Sequence, residues 1–153
     1  MDFLLRQYEK RDHAAVCDLH VRVLVATGAY IGSGHWDEDL NNIEAIYLQP
    51  GGDFLIVSHE NRLIAMGALR RIDESCGEIK RMRVEPSFQG QGLGQRLLNA
   101  LIERARELGY RKIVLDTTVK QIAAQRLYEK NGFTEVRRGS LGGFKTIYYE
   151  RFL

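Results

Sequence analysis

The sequence of 153 residues has few of the features that mark membrane-spanning, disulfide-bonded or disordered proteins. No apolar run approaches the roughly 20 residues of a transmembrane helix, and Asp2 stands where a secretory signal would carry a basic residue. With only two prolines and no low-complexity tract, a long disordered tail is not expected. Two cysteines, Cys17 and Cys76, are too few for a disulfide framework or a zinc cluster. They favour reduced thiols and a cytoplasmic location.

The sequence also lacks an excess of one charge sign. It carries 22 basic and 20 acidic residues, and the net charge of +2 predicts neither a nucleic-acid-binding nor a membrane-binding surface. Hydrophobic residues make up 44% of the chain, as is usual for a globular protein. No internal repeat and no Pro/Gly/Ser-rich linker divides the sequence. Residues 1–153 are therefore expected to form one domain.

The hydrophobic pattern changes several times between the period of a helix and that of a strand. Strands are predicted over residues 3–8, 53–58, 63–72, 78–84, 111–116, 133–137 and 144–151. Helices are predicted over residues 12–25 with Asp12 as the cap, from Asp37 or Asp39 to residue 49, over 93–108, and over 118–131 with a Thr118/Gln121 capping box; loops are predicted over 27–36 and 139–143. The predicted fold is α+β, with a mixed, mostly antiparallel central sheet, flanking helices and one βαβ crossover over residues 78–116.

The predicted strand over residues 78–84 breaks the alternation of a regular strand. Ile79 is apolar at an odd position, whereas Met82 is apolar at an even one. A β-bulge near Lys80-Arg81 would produce this change and would leave backbone groups unpaired. The alternative is a regular strand in which Lys80 or Arg81 extends its charged end into solvent.

A glycine-rich segment, Gln89-Gly90-Gln91-Gly92-Leu93-Gly94, joins this strand to the next helix, and we call residues 89–94 the glycine turn. Glycines before a helix N-terminus allow backbone N–H groups to surround an anion, most naturally a pyrophosphate. A P-loop is excluded, because Gln95-Arg96 follows where Lys and Ser or Thr are required. A dinucleotide-binding fold is disfavoured, because its third glycine is missing at the required spacing and the preceding strand is not continuously apolar.

Three segments resemble, in order and spacing, the GCN5-related N-acetyltransferase (GNAT) family, over about residues 53–150. They are Glu78-Ile-Lys-Arg-Met-Arg-Val-Glu-Pro86, similar to the fourth strand and its bulge; Gln89-x-x-Gly92-x-Gly94, similar to the acyl-CoA-binding signature; and Ala124-x-x-Leu127-Tyr128-x-x-x-Gly132-Phe133, similar to the late helix and following strand. The first 50 residues fit the variable N-terminal part of the family. The resemblance implies acetyl-CoA as co-substrate, no metal, and acetyl transfer to a primary amine by direct attack in a ternary complex.

The resemblance also implies which residues bind acetyl-CoA. Backbone N–H groups of the glycine turn would hold the pyrophosphate, the edge of the preceding strand would pair with the pantetheine arm, and a free N–H at the bulge would polarise the thioester carbonyl. Gln121 stands where many members carry Asn; it either contacts pantetheine or serves only in the capping box. The implied cofactor-binding residues are Met82, Arg83, Val84, Gln89, Gly90, Gln91, Gly92, Leu93, Gly94, Gln95 and Gln121.

Tyr128 and Glu78 are the implied catalytic residues. Tyr128 matches the general acid of the family, and a phenol of pKa ~10 can protonate a departing thiolate. The alternative is a core role on the helix face that it shares with Leu127. Glu78 stands where the histone-acetylating members carry a base, and it would act through water; the alternative is a solvated glutamate at the strand edge. Weaker candidates for the base are Asp116, Asp37, Glu38 and His35.

The resemblance implies an acceptor pocket between residues 30–36 and 139–144. The acceptor is expected to be a small-molecule amine, such as an amino acid or another anionic metabolite. An anionic acceptor requires cations to converge, whereas strand alternation predicts that the available ones spread over two faces. These cations are Arg70, Arg71, Lys80, Arg81 and Arg83. Two alternatives stay open: a protein or peptide amine as acceptor, and a non-catalytic acyl-CoA-binding sensor or interaction module. The apolar-aromatic ending at residues 147–149 permits a homodimer, which is common in the family.

Overall fold

The structure is a computed structural model that describes residues 2–28, 30, 32 and 35–153, except for the side chains of residues 35 and 36. The strands are β1 (Leu4–Gln7), β2 (Asp53–His59), β3 (Arg62–Arg71), β4 (Cys76–Val84), β5 (Lys112–Thr118), β6 (Thr134–Leu141) and β7 (Phe144–Phe152). The helices are α1 (His13–Thr27), α2 (Leu93–Glu107) and α3 (Ile122–Lys130), with 3₁₀ turns at Lys10–Asp12, His35–Asn41 and Pro86–Phe88 and a π-helical turn at Glu44–Leu48. None of the helices in the described ranges is long and apolar enough to cross a membrane.

The strands form one sheet in the order β1-β2-β3-β4-β5-β7-β6. Neighbouring strands are antiparallel except for β4 and β5, which are parallel and are connected through α2. This arrangement confirms the predicted α+β fold with a mixed, mostly antiparallel sheet and one βαβ crossover. The glycine turn therefore lies at the carboxyl end of β4, where the crossover begins.

The sheet separates two apolar cores. On one face, α2 packs through Leu97, Leu98 and Leu101, which recur at the spacing of one helix face and are fully buried. On the other face, α1 and the π-helical turn cover β2 and β3, and Tyr47 packs edge-on against Phe54 with ring centroids 5.4 Å apart. Because both faces of the central strands are covered, β4 is held firmly between α1 and α2.

A β-bulge interrupts β4 and confirms the sequence-based prediction. The register passes from Ala68 opposite Lys80 to Met66 opposite Arg83, so that two residues of β4 face one residue of β3. Arg81 takes up the extra length with a φ of 59°. A Cβ at the facing residue, Gly67, would lie 2.5 Å from the Met82 sulfur and 3.1 Å from a Leu101 methyl, so a larger residue would require these side chains to move.

After three paired residues, β4 and β5 separate. Their parallel register extends only from Cys76 opposite Lys112 to Glu78 opposite Val114. The rest of β4, which includes the bulge, has no strand partner on its β5 side among the described residues. This separation creates a cleft in the middle of the sheet.

The segment after α1 differs from its prediction. In place of one helix from Asp37 or Asp39 to residue 49, the chain forms a 3₁₀ turn followed by a π-helical turn. The Asp39 carboxylate binds Tyr47 and Arg81 instead of capping a helix. Asp12 precedes α1 as predicted, but its carboxylate accepts from the Glu9 N–H and from Arg6, so it does not cap the helix with its side chain.

Two predictions near the C-terminal end were also wrong, the first of them in part. The Thr118/Gln121 capping box forms only in part: Gln121 Oε1 accepts from the Thr118 N–H, but the Gln121 N–H donates to the Thr118 carbonyl and not to its hydroxyl. The helix α3 begins later, at Ile122, with Gln121 as its N-cap residue. The segment predicted as a loop over 139–143 is mostly strand, since β6 continues to Leu141 and only Gly142-Gly143 form the turn into β7. The hydrogen bonds between β6 and β7 stabilise the extended backbone here, although glycine disfavours a strand.

Candidate active site

A cavity of about 540 Å³ occupies the cleft between β4 and β5. Its walls come from α1, the bulge of β4, the end of β5, the start of α3 and the β6–β7 hairpin. The ionisable and hydrogen-bonding side chains that line it include His20, Asp37, Lys80, Arg81, Arg83, Asp116, Thr117, Thr118, Gln121 and Tyr128. This volume is typical of a site for a small ligand.

The glycine turn leads from β4 into α2 with an open backbone. Gly90 and Gly92 have φ values of 80° and 81°, which other residues rarely adopt. A Cβ at either glycine would have no atom within 4 Å, so the surface above this backbone is free. Gly92 is the N-cap residue of α2, and the first N–H groups of a helix have no intrahelical acceptor. Gln89 ties the turn to β4 by donating to the Val84 carbonyl at 3.0 Å.

Side chains also hold α3 against the start of α2. The amides of Gln95 and Asn131 exchange two hydrogen bonds of 2.8 and 2.9 Å. Asn131 donates in addition to the Leu127 carbonyl. Gly94 allows the two helices to approach, since a Cβ there would lie 3.3 Å from a Leu127 methyl. The position of Tyr128 on α3 is therefore fixed relative to the glycine turn.

Tyr128 combines core packing with a position on the cavity wall. Its ring packs edge-on against Phe133, with centroids 5.8 Å apart, and only 4% of the residue is exposed. No group among the described residues hydrogen-bonds to its hydroxyl. Burial raises the pKa of Tyr128 to about 12, while the nearby Arg83 charge lowers it and the Asp116 charge raises it further. The phenol is therefore protonated at neutral pH.

Two carboxyl groups lie on the separating strands. Asp116 lines the cavity, whereas Glu78 is not among its lining residues. Burial raises the pKa of each, and the Lys80 charge opposes the rise in both cases. The Asp116 charge raises the pKa of Glu78 further, which places the two groups within electrostatic range of each other.

Arg81 anchors the bulge to the turn that follows α1. Its guanidinium donates to both oxygens of Asp39, at 2.6 and 3.0 Å, and to Asp37 at 3.5 Å. The Tyr47 hydroxyl donates to the same Asp39 carboxylate. Burial alone would raise the pKa of Asp39, but the hydrogen bonds from Arg81 lower it below its ordinary value. This mostly buried ion pair fixes the cavity wall.

His20 supports the same wall from α1. Its Nε2 lies 3.0 Å from an Asp37 oxygen, and since a carboxylate only accepts, Nε2 carries the hydrogen. Burial lowers the pKa of His20 to about 4, and the charges of Arg83 and Arg81 contribute, so the ring is neutral at neutral pH. Its Nδ1 is buried without a hydrogen-bond partner.

Arg83, like Lys80, lines the cavity without an ion pair to a carboxylate of the described residues. Its Nη1 donates to the Met82 carbonyl at 2.8 Å, and its Nε is buried without a partner. Within the described ranges, no carboxylate forms an ion pair with it. Burial lowers the pKa of Arg83 to about 10, and the neighbouring Arg81 charge adds to this, which still leaves the guanidinium charged at neutral pH.

The structure brings together part of the predicted site. Of the five cations considered, Lys80, Arg81 and Arg83 line the cavity, because the bulge alters the alternation of β4. Arg70 and Arg71 are exposed at the end of β3, away from it. The Gln121 side chain lines the cavity and accepts hydrogen bonds from Thr117 and Thr118.

The predicted acceptor segments are only partly within the described ranges. Tyr30 and Gly32 line the cavity from the first segment, and Leu141 and Gly142 line it from the second. The side chains of His35 and Trp36 lie outside the described part. Sequence reasoning missed His20, Tyr47 and Asn131, which carry no local motif. Over the described residues, no group of three or more His, Cys, Asp or Glu side chains is placed to hold a metal ion.

Comparison with known proteins identifies the family. The sequence profile described as the acetyltransferase (GNAT) family matches residues 29–133. The uncharacterized N-acetyltransferase YjgM of Escherichia coli (strain K12) is 26% identical over 138 residues, which are 87% of this chain and 83% of that protein. The N-acetylaspartate synthetase of Xenopus tropicalis is 36% identical over 100 residues, which are 64% of this chain but only 37% of that protein. The chain belongs to the GNAT family and is an acetyl-CoA-dependent N-acetyltransferase.

Solved structures show the same fold. A GNAT-family acetyltransferase of Staphylococcus aureus Mu50 superposes with a TM-score of 0.91 at 24% identity, covering 99% of both chains. The acetyltransferase yncA of Salmonella typhimurium, solved with its cofactor acetyl-CoA, superposes with a TM-score of 0.81 at 24% identity, covering 98% of this chain and 93% of that one. The seven-stranded sheet is thus the acyl-CoA N-acyltransferase fold.

Proposed function

We propose that the protein transfers an acetyl group from acetyl-CoA to the primary amine of a small molecule, by direct attack in a ternary complex. The cavity is the observation that carries this proposal, since Tyr128, Asp116 and residues of the bulge all line it. Its volume of about 540 Å³ lies within the range of small-molecule sites. The N-acetylaspartate synthetase relative is named for an N-acetylated amino acid, which also supports a small acceptor.

The glycine turn is the proposed site for the pyrophosphate of acetyl-CoA. The free space above Gly90 and Gly92 and the start of α2 fit an anion, which backbone N–H groups up to Gln95 would hold. The open edge of β4 between Met82 and Val84 would pair with the pantetheine arm. Bound acetyl-CoA supplies an acetyl thioester, and a backbone N–H at the bulge would stabilise the charge that develops on its carbonyl oxygen.

Tyr128 is the proposed general acid. As the amine nitrogen forms its bond to the acetyl carbon, the bond from carbon to sulfur breaks and the sulfur takes the phenol proton. Burial raises the pKa of Tyr128 to about 12. The same burial disfavours a free thiolate, so the pKa of the leaving thiol is raised as well and the phenol remains able to protonate it. Arg83 stabilises the phenolate that is left until it is reprotonated.

Asp116 and Glu78 are the proposed route for the proton of the amine. An alkyl ammonium of pKa ~10.4 costs roughly 4 kcal/mol to deprotonate at neutral pH, so a proton acceptor near the amine is required. Asp116 lines the cavity and would accept the proton first, and Glu78, within electrostatic range, would pass it on through water. Burial raises the pKa of both, which makes them stronger bases than exposed carboxylates.

Replacing Asp116 with Asn is expected to lower kcat/KM by about 10²-fold, and Glu78→Gln by less. Because the pKa of Asp116 is raised, wild-type activity should decline, as pH falls, at a higher pH than an exposed aspartate would give. In Asp116→Asn this decline should disappear, which a kcat/KM profile against pH would show. A larger loss in Glu78→Gln than in Asp116→Asn would make Glu78 the direct base.

The cofactor site is tested by two matched glycine variants. Gly92 and Gly109 have φ values of 81° and 84°, and a Cβ at either would meet no atom within 4 Å. Alanine at each should therefore cost a similar ~1–2 kcal/mol of stability. Calorimetric titration should show that Gly92→Ala weakens acetyl-CoA binding at least ~10-fold, since its methyl occupies the space for the pyrophosphate. Gly109→Ala should bind normally; equal affinities in both variants would contradict the site.

A further inference from the structure

The cavity contains cations that form no ion pair with any of its described side chains. Arg83 carries a full positive charge, and its Nε is buried without a partner. Its neighbour Arg81 forms hydrogen bonds to Asp37 and Asp39, the two nearby aspartates in the turn after α1. A cation held away from water is costly unless an anion or an acceptor compensates it. Arg83 is therefore poised to receive an anion from outside the chain.

An opposite charge faces the same cavity. Asp116 lines it from β5, and among the described side chains it forms no ion pair, either with Arg83 or with another cation. Burial raises the pKa of Asp116, and the charges of Lys80, Arg81 and Arg83 oppose this rise. Among the described residues, the cavity thus presents two cations from β4 without an ion pair, Lys80 and Arg83, and one such anion from β5, Asp116. Of the two cations, Arg83 has a buried nitrogen without a hydrogen-bond partner. Separated charges of both signs complement a zwitterion better than a simple amine.

We propose that the acceptor is a small amino acid, whose carboxylate binds the Arg83 guanidinium while its amine lies toward Asp116. A guanidinium presents parallel N–H donors that match the two oxygens of a carboxylate. The direction of the amine agrees with the proposed base, because Asp116 would be the first group to receive its proton. This inference rests on the proposed function and specifies its substrate class.

The test compares amino acids with otherwise identical amines that lack the carboxylate. A panel of α-amino acids, their carboxamides and their decarboxylated amines would be acetylated with acetyl-CoA, using the wild type and Arg83→Gln. In the wild type, kcat/KM for the best amino acid should exceed that of its carboxamide roughly 10- to 100-fold, the range of a charge-assisted hydrogen bond. In Arg83→Gln the ratio of kcat/KM for the amino acid to kcat/KM for its carboxamide should fall to about one, through a higher KM for the amino acid, while kcat falls alike on both substrates because Arg83 also stabilises the Tyr128 phenolate.

Two further variants separate binding from folding. Arg83→Lys should restore part of the preference, since it keeps the charge without the fork of donors. Arg71→Gln, at an exposed cation outside the cavity, should behave as the wild type. Calorimetric titration of the CoA-saturated protein should show that the preferred amino acid binds the wild type more tightly than Arg83→Gln by the same factor.

The outcomes distinguish this inference from the proposed function. Equal wild-type rates on amino acids and carboxamides would overturn the carboxylate site and leave the small-amine acetyltransferase intact. An equal loss on all substrates in Arg83→Gln would assign Arg83 a structural or electrostatic role and also overturn it. If peptides were acetylated and none of the small amines was, the proposed function would be overturned, and the inference with it.

Discussion

Replacing Tyr128 with Phe is expected to lower kcat by about 10²- to 10⁴-fold, the range that general acid catalysis contributes. The substitution removes one hydroxyl, which faces a cavity and has no hydrogen-bond partner among the described residues. The ring keeps its contacts with Phe133 and Tyr149, so the apolar core is unchanged. The loss should therefore appear in the chemical step, with acetyl-CoA affinity and thermal stability close to those of the wild type.

Tyr149 offers the matched control. It is a second buried tyrosine of the same core, but its hydroxyl donates to Glu129 at 2.6 Å and it does not line the cavity. Tyr149→Phe should cost some stability, because it removes a hydrogen bond to a charged group, and should leave kcat within about twofold. Steady-state rates of thiol release would measure both variants. If Tyr128→Phe retained full activity, the phenol would have only the packing role that its helix face also allows.

Replacing Arg81 with Met is expected to lower the free energy of unfolding by about 3–5 kcal/mol, the usual cost of removing one partner from a buried ion pair. The side chains of Arg81 and Asp39 are 12% and 14% exposed, so the carboxylate left behind would be poorly hydrated. The same change releases the turn after α1 from the bulge. Acceptor binding should therefore weaken along with stability, which urea unfolding and KM would measure separately.

The loss of stability in Arg81→Met should depend on the charge of the unpaired Asp39 carboxylate and therefore on pH. The pKa of Asp39 is lowered by Arg81, so in the wild type its stabilising contribution is complete at neutral pH and disappears as pH falls through this lowered pKa. In Arg81→Met the Asp39 carboxyl can instead take up a proton at acid pH. The difference in free energy of unfolding between the variant and the wild type should therefore become smaller at acid pH. The double variant Arg81→Met/Asp39→Leu should lose less than the sum of the two single variants. A single-variant loss below about 1 kcal/mol would show that the pair contributes as little as an exposed one.

The elements that the sequence predicts best are those with a strong local signal. The apolar face of α2, the glycine turn and the change of parity between Ile79 and Met82 each depend on neighbours within a few residues. These signals locate the crossover, the bulge and the start of the helix, and with them the proposed acetyl-CoA site. They could be recognised without knowledge of the rest of the fold.

The features that sequence reasoning missed depend on contacts between distant segments. Asp39 looks like a helix cap, but Arg81, 42 residues away, binds its carboxylate, and the segment forms a 3₁₀ turn. His20 shows no motif, and only folding brings it to Asp37 and the cavity. The convergence of Lys80, Arg81 and Arg83 was likewise not predicted, because the effect of the bulge on side-chain direction depends on its register with β3.

The most direct test of the central claim is the identity of the acetylated product. The protein would be incubated with acetyl-CoA and a mixture of small primary amines, amino acids and short peptides, and the products would be identified by mass spectrometry. We expect acetyl-CoA-dependent acetylation of a small amine and its loss in Tyr128→Phe but not in Tyr149→Phe. Tight acetyl-CoA binding without any acetylated product, or acetylation confined to the peptides, would contradict the claim.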